Sequence, residues 1–128
     1  MSVKDKLRVM VVDDMSTSRA LITQSLDALG VSNYAVENDA QRALFSIAKS
    51  PVHLVLSDMN MPGMDGMGFL EALRRNPATA KTGFILVTGS PTPEILKQGQ
   101  RLGLNNLIRK PFSPTDLKQC IERVVGRL

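Results

Sequence analysis

The chain is poor in several residue types. Its 128 residues include one cysteine, one histidine, one tyrosine and no tryptophan, and only 4% are aromatic. The single Cys120 excludes an intramolecular disulfide and suits a reducing cytoplasm; nothing near it in sequence activates a thiolate, so it reads as a small helical packing residue. The net charge is +4, but the basic residues are spread along the chain and have few aromatics between them. That argues against a nucleic-acid surface. The longest apolar runs, such as Val9 to Val12 and Ile85 to Val87, are far too short to span a bilayer. Lys4, Asp5, Lys6 and Arg8 leave no apolar stretch for a signal peptide. Low-complexity tracts and internal repeats are absent. The expectation is one soluble, cytoplasmic, monomeric domain over residues 1–128, long enough to bury about two thirds of its unfolded surface.

What is present is an alternation of short apolar runs and amphipathic stretches. Leu7 to Val12 reads as a strand buried on both faces. A helix follows, with Ser16 as its cap, Ile22, Leu26 and Leu29 on its buried face and Gly30 as its stop. Tyr34 to Val36 is a second strand, and Asp39 opens a helix with Ala40, Ala43, Leu44, Ile47 and Ala48 on one stripe. Val52 to Leu56 is a third strand, which makes His53 a buried or half-buried packing residue. The loop Met59 to Gly66 contains Pro62 and Gly63. A helix through Met67, Phe69, Leu70 and Leu73 follows, the loop methionines serving mainly to fill gaps. Phe84 to Val87 is a fourth strand. A helix beginning near Pro91 and Pro93 ends at Gly103, and Leu107-Ile108 is a short fifth strand. Ser113-Pro114-Thr115-Asp116 starts a last helix carrying Leu117, Ile121, Val124 and Leu128. Five strands alternating with five helices predict a three-layer α/β fold. Its parallel sheet takes the flavodoxin-like order 2-1-3-4-5.

The polar signals sit where strands end. Asp13-Asp14 follows the first strand, Asp58 the third, Thr88 the fourth and Lys110-Pro111 the fifth. The carboxyl ends of parallel strands line one edge, so these groups converge there. Two carboxylates about 4 Å apart repel by about 4 kcal/mol at an effective dielectric of about 20, so three need a compensating cation. Magnesium fits, because it prefers oxygen ligands and shares its shell with water and phosphate. Lys110 and Thr88 would then face the phosphate.

These residues together resemble the response-regulator receiver family of two-component signalling, of the CheY type, over the whole chain. The resemblance rests on the acidic pair, on Asp58 followed by Met61-Pro62-Gly63-Met64-Asp65-Gly66, on Thr88, and on Lys110-Pro111-Phe112. It implies that Asp58 accepts a phosphoryl group from a histidine kinase of the CheA type. Asp14 and Asp58 would bind Mg2+ directly, Asn60 through its backbone carbonyl, and Asp13 mostly through water. Lys110 would pair with one phosphate oxygen and the Thr88 hydroxyl with another, with Gly89 leaving space beside it. A cis bond is implied between Lys110 and Pro111. The threonine would then move and reorganise the loop after the fourth strand, together with the face made by the fourth helix, fifth strand and fifth helix. Lys97, Arg101, Arg109, Lys118 and Arg123 fall on that segment; a solvated face is the simple reading, an acidic partner patch the sharper one.

The chain departs from chemotaxis receivers at Leu107, where these carry an aromatic. Two routes remain: Leu107 repacks behind Thr88, or the signal passes through the loop at Gly89 and Ser90. Asn60 and Ser90 flank the path of the hydrolytic water, and small polar residues there imply quick self-dephosphorylation. Asp13-Asp14-Met15-Ser16-Thr17-Ser18-Arg19 is similar to chemotaxis regulators, implying an output partner such as the flagellar motor switch protein, with a phosphatase as a further partner. A single-domain phosphorelay shuttle or phosphate sink is the alternative, and an unphosphorylated scaffold a weaker one. A haloacid-dehalogenase phosphatase would need an acid where Asn60 stands and room for a substrate cap, so the chain reads as a signalling phospho-acceptor rather than an enzyme. A flavodoxin would need a hydroxyl- and glycine-rich phosphate loop where the acidic pair stands.

Overall fold

The computed structural model describes residues 3–128. Five parallel strands, β1 (Val9–Val12), β2 (Tyr34–Glu37), β3 (Leu54–Asp58), β4 (Gly83–Thr88) and β5 (Asn106–Arg109), form one sheet in the order β2-β1-β3-β4-β5. The helices are α1 (Val3–Lys6), α2 (Ser16–Ala28), α3 (Ala40–Lys49), α4 (Gly66–Arg75), α5 (Pro93–Leu102) and α6 (Pro114–Val125). The five expected helices are therefore joined by a short extra one, α1, a single turn that ends where the Leu7 N–H donates to Val3 O at 2.9 Å.

Alternation along each strand creates two cores. Val9, Val11, Leu54, Leu56, Ile85 and Val87 face Ile22 and Leu26 of α2 and Leu117 and Ile121 of α6. Their neighbours Met10, Val12, Val55, Phe84 and Leu86 face Ala43 and Ile47 of α3 and Phe69, Leu70 and Leu73 of α4. Strands buried on both faces must be apolar throughout, which is why β1 and β4 carry no polar residue before their last position. Met61 and Met67 are buried in the second core, with Met59 and Met64 packed against it.

Local differences from the sequence reading have local causes. The cap of α2 is Met15, not Ser16, and makes no side-chain capping bond. The preceding acid does the tying instead: Asp13 Oδ1 accepts from the Met15 N–H at 3.0 Å, and Arg19 Nη1 donates to Asp13 O at 2.7 Å. The third strand begins at Leu54 rather than Val52, because His53 and Leu54 both donate to Arg8 O, at 2.9 and 3.2 Å, and only from there does pairing with β1 begin. His53 is consequently exposed rather than packed, its Nδ1 accepting from the Arg8 N–H at 3.0 Å. Ala48 is exposed too, on the far side of the α3 stripe. Gly99 inside α5 has a packing reason: a Cβ there would lie 2.7 Å from Leu104 Cδ2, where the chain folds back and the Leu104 N–H donates to Gly99 O at 2.8 Å. Ser113 and Asp116 form the complete reciprocal cap of α6. Cys120 is buried in the first core, which pushes its thiol up to about 11, in keeping with packing rather than reactivity.

At the edge opposite the strand ends, Arg74 joins three segments. Its guanidinium donates to Ala80 O (3.1 Å), Thr82 O (2.7 Å), Gly103 O (3.0 Å) and Asn105 Oδ1 (3.0 Å). Asn105 Oδ1 also accepts from the Phe84 N–H at 2.8 Å, so the guanidinium ties the end of α5 to the start of β4. Replacing Arg74 with alanine leaves these acceptors without their shared donor and should lower unfolding free energy by about 2 kcal/mol in urea titrations, with the substitution Arg74→Lys recovering only part, since an ammonium cannot span the fork.

Candidate functional site

The register of the sheet decides what meets at its carboxyl edge. Val12 pairs with Ser57, Asp58 with Val87 and Thr88 with Arg109. The residues at and just after these ends, Asp13, Asp14, Asp58, Thr88 and Lys110, are thereby level with one another.

One carboxylate oxygen from each of Asp13, Asp14 and Asp58 lies within 4.8 Å of the others. Asp13 is fully buried, Asp58 is 8% exposed, and Asp14 faces solvent. Lys110 Nζ donates to Asp58 Oδ1 at 3.1 Å, to Asp13 Oδ2 at 3.5 Å and to Ser18 Oγ at 2.8 Å. Its backbone N–H donates to Thr88 O at 2.8 Å, and the Lys110-Pro111 bond is cis, as the family resemblance implied. Thr88 is buried; its Oγ1 accepts from the Ser90 N–H at 3.2 Å. Burial pushes the Asp58 carboxyl above its ordinary range and the Asp13 charge adds to the rise, while the hydrogen bond and charge of Lys110 oppose it.

Asn60 is exposed, two residues beyond Asp58 in a loop that Gly66 closes by donating its N–H to Met59 O at 2.8 Å. Glycine is required at that position: a Cβ would stand 2.7 Å from Asp58 O. Gly89 and Ser90 are exposed, and a Cβ at Gly89 would meet nothing within 4 Å. Leu107 is partly buried and packs on the second core together with Ile95, Leu102 and Leu104. Lys97, Arg101, Arg109, Lys118 and Arg123 are all exposed. The sequence reading assigned no role to Ser18 and Arg19. The available signal was their place in the first turns of α2, Ser18 lying on the face of Ile22 and Ser25 at spacings of four and seven.

An oxygen-only donor set, two members of it buried, with one ammonium for three carboxylates, fits a hard divalent cation and would suit a thiophilic metal poorly. A doubly wound parallel sheet with this acid cluster, hydroxyl and lysine on its carboxyl edge defines a signalling receiver. A family model for the response regulator receiver domain matches residues 9–122, and the chain belongs to that family. It is 41% identical over 128 residues to a protein of Rhizobium etli described as a probable chemotaxis protein CheY, covering 100% of this chain and 99% of that one. With the chemotaxis protein CheY of Pseudomonas aeruginosa it shares 30% identity over 122 residues, 95% of this chain and 98% of that one. The solved structure of Vibrio cholerae chemotaxis protein CheY4 superposes with a TM-score of 0.86 at 29% identity, covering 92% of this chain and 98% of that one.

The raised Asp58 pKa gives a stability prediction with a definite sign. A carboxyl that holds its proton more tightly when folded favours the folded state below its unfolded pKa, and that advantage is lost as pH rises through the folded value. In EDTA at pH 7, Asp58→Asn should therefore melt higher than wild type by calorimetry. The gap should close as pH falls into the ordinary carboxylate range.

Proposed function

We propose that the chain is a phospho-acceptor response regulator: it takes a phosphoryl group from a histidine kinase onto Asp58 and thereby changes its affinity for an output protein. The observation that carries this reading is the placement of Lys110 Nζ between Asp58 and Asp13 beside a third carboxylate. Asp14 and Asp58 would hold Mg2+ directly, Asn60 through its carbonyl oxygen and Asp13 chiefly through water. The ion would neutralise charge on the phosphoryl oxygens.

In the transfer, an Asp58 carboxylate oxygen forms the new O–P bond as the N–P bond of the donor phosphohistidine breaks and the leaving imidazole takes up a proton. Phosphoryl transfer of this kind depends on positioning and charge neutralisation rather than on a protein base. Lys110 then moves its hydrogen bond from the carboxylate to a phosphoryl oxygen. The Thr88 hydroxyl has its proton to donate to another, since its oxygen is the acceptor for Ser90. Any shift of Thr88 is passed through that bond to Ser90 and on towards Thr92, the cap of α5. This favours the loop route over the Leu107 route: Leu107 packs on the second core and has no ring to rotate.

The names of the relatives support a chemotaxis role. Within it we place the protein in the cytoplasm with the motor switch as output, an acidic patch on it meeting the exposed basic residues of α5, β5 and α6. A phosphate sink or relay shuttle is the second reading, favoured by the openness of the path past Asn60, Gly89 and Ser90, which suits fast hydrolysis.

Intact-mass measurement after acetyl phosphate and magnesium should show one added phosphoryl group on wild type and none on Asp58→Asn, with the group lost within minutes once the donor is removed. Uptake by Asp58→Asn overturns the acceptor assignment, and persistence for many hours overturns fast hydrolysis. In methyl NMR spectra of the phosphorylated protein, Leu107 should stay near its original shifts while the Gly89 and Ser90 amides move. The opposite pattern would restore the leucine route.

A further inference from the structure

Lys110 borders a groove of about 400 Å3 walled by Ser18, Leu21, Ser25, Lys110, Pro111 and Phe112. Its side chain is 27% exposed, so a flexible four-carbon stem has space to swing out of the site. Two of the three groups that oppose the swing, Asp58 at 3.1 Å and Asp13 at 3.5 Å, are carboxylates that the reading above commits to the phosphoryl group and the cation. Ser18 Oγ is the third and closest, at 2.8 Å. It is neutral, stands on α2 rather than on the sheet edge, and leaves the charge of the site unchanged. The first turn of α2 is fixed against the acid itself, because the Met15 N–H donates to Asp13 Oδ1 and Arg19 Nη1 to Asp13 O.

We propose that Ser18 is a positioning residue for phosphoryl transfer: it anchors the Lys110 ammonium on the Asp58 side of the groove before and after transfer, leaving the other ammonium protons for the carboxylates or the phosphoryl oxygen. An ammonium has three donors, and one fixed acceptor outside the reacting set orients the remaining two. This rests on Asp58 being the acceptor. It accounts for a serine on a helix face whose next members, Ile22 and Ser25, are buried.

The test follows phosphorylation of Ser18→Ala, Ser18→Thr and wild type by acetyl phosphate and magnesium with time-resolved intact mass. The Lys110 Cε–Hε resonance is recorded in EDTA, and magnesium affinity is measured by calorimetry. Ser18→Ala should react about tenfold slower, the scale of one hydrogen bond to a charged group. Its Lys110 resonance should shift, its magnesium affinity should hold, and Ser18→Thr should recover the rate. Equal rates for wild type and Ser18→Ala overturn the role of Ser18 alone, as does a slower rate without a change at Lys110. A wild type that takes up no phosphoryl group overturns the acceptor reading and this one with it.

Discussion

The ammonium of Lys110 reaches Asp58, Asp13 and Ser18 at one point, and the edge of the sheet is organised around that meeting. Parallel register brings the ends of β1 and β3 level, so acids that follow both strands must come together whether or not their charges agree. Burial of Asp13 and Asp58 removes the water that would screen them, and the rise in the Asp58 pKa is the residue of that conflict after Lys110 has answered part of it. A site left with surplus negative charge suits a cation, and on the proposed reading a phosphoryl group would join it.

The two edges of the sheet are unevenly braced. At the amino edge, Arg74 holds the end of α5 and the start of β4 through four acceptors on two connections. At the carboxyl edge, the loop between β4 and α5 is exposed at Gly89 and Ser90 and is tied to the site by the Ser90–Thr88 hydrogen bond. Under the proposed function, a displacement of Thr88 would pass through that bond towards the start of α5, while the far end of the helix stays held by Arg74.

Most of this was readable before any coordinates. Strand ends were legible because a strand buried on both faces is almost wholly apolar, so the first acid in or after it marks the edge: Asp13 and Asp58 were found this way, while Lys110 was read from its place before Pro111 after the short run Leu107-Ile108. Caps with their own side-chain acceptor, Asp39, Thr92 and Ser113, follow from local chemistry alone or sit next to a proline that does. What stayed hidden depends on distant partners. Met15 replaces Ser16 as the cap because Asp13 reaches forward to it. His53 is exposed because Arg8, 45 residues earlier, sets where β3 begins. Ser18 is one of three consecutive hydroxyl residues, Ser16, Thr17 and Ser18, and only the fold shows which of them faces the lysine 92 positions away.

Leu107 bears on how such a site can signal at all. A ring that swings between inward and outward positions gives a receiver two discrete states at one side chain, and a partly buried leucine packed on the second core has no ring to swing. Bistability must then reside elsewhere, because small shifts are amplified only where two packings compete. The loop at Gly89 is the place with room for a second arrangement, since nothing lies within 4 Å of where its side chain would be. Its two arrangements would differ in whether Ser90 remains tied to Thr88, and α5, capped by Thr92 just beyond, inherits the choice. On the proposed reading, the switch would lie in the backbone at the mouth of the site rather than in a side chain of the sheet.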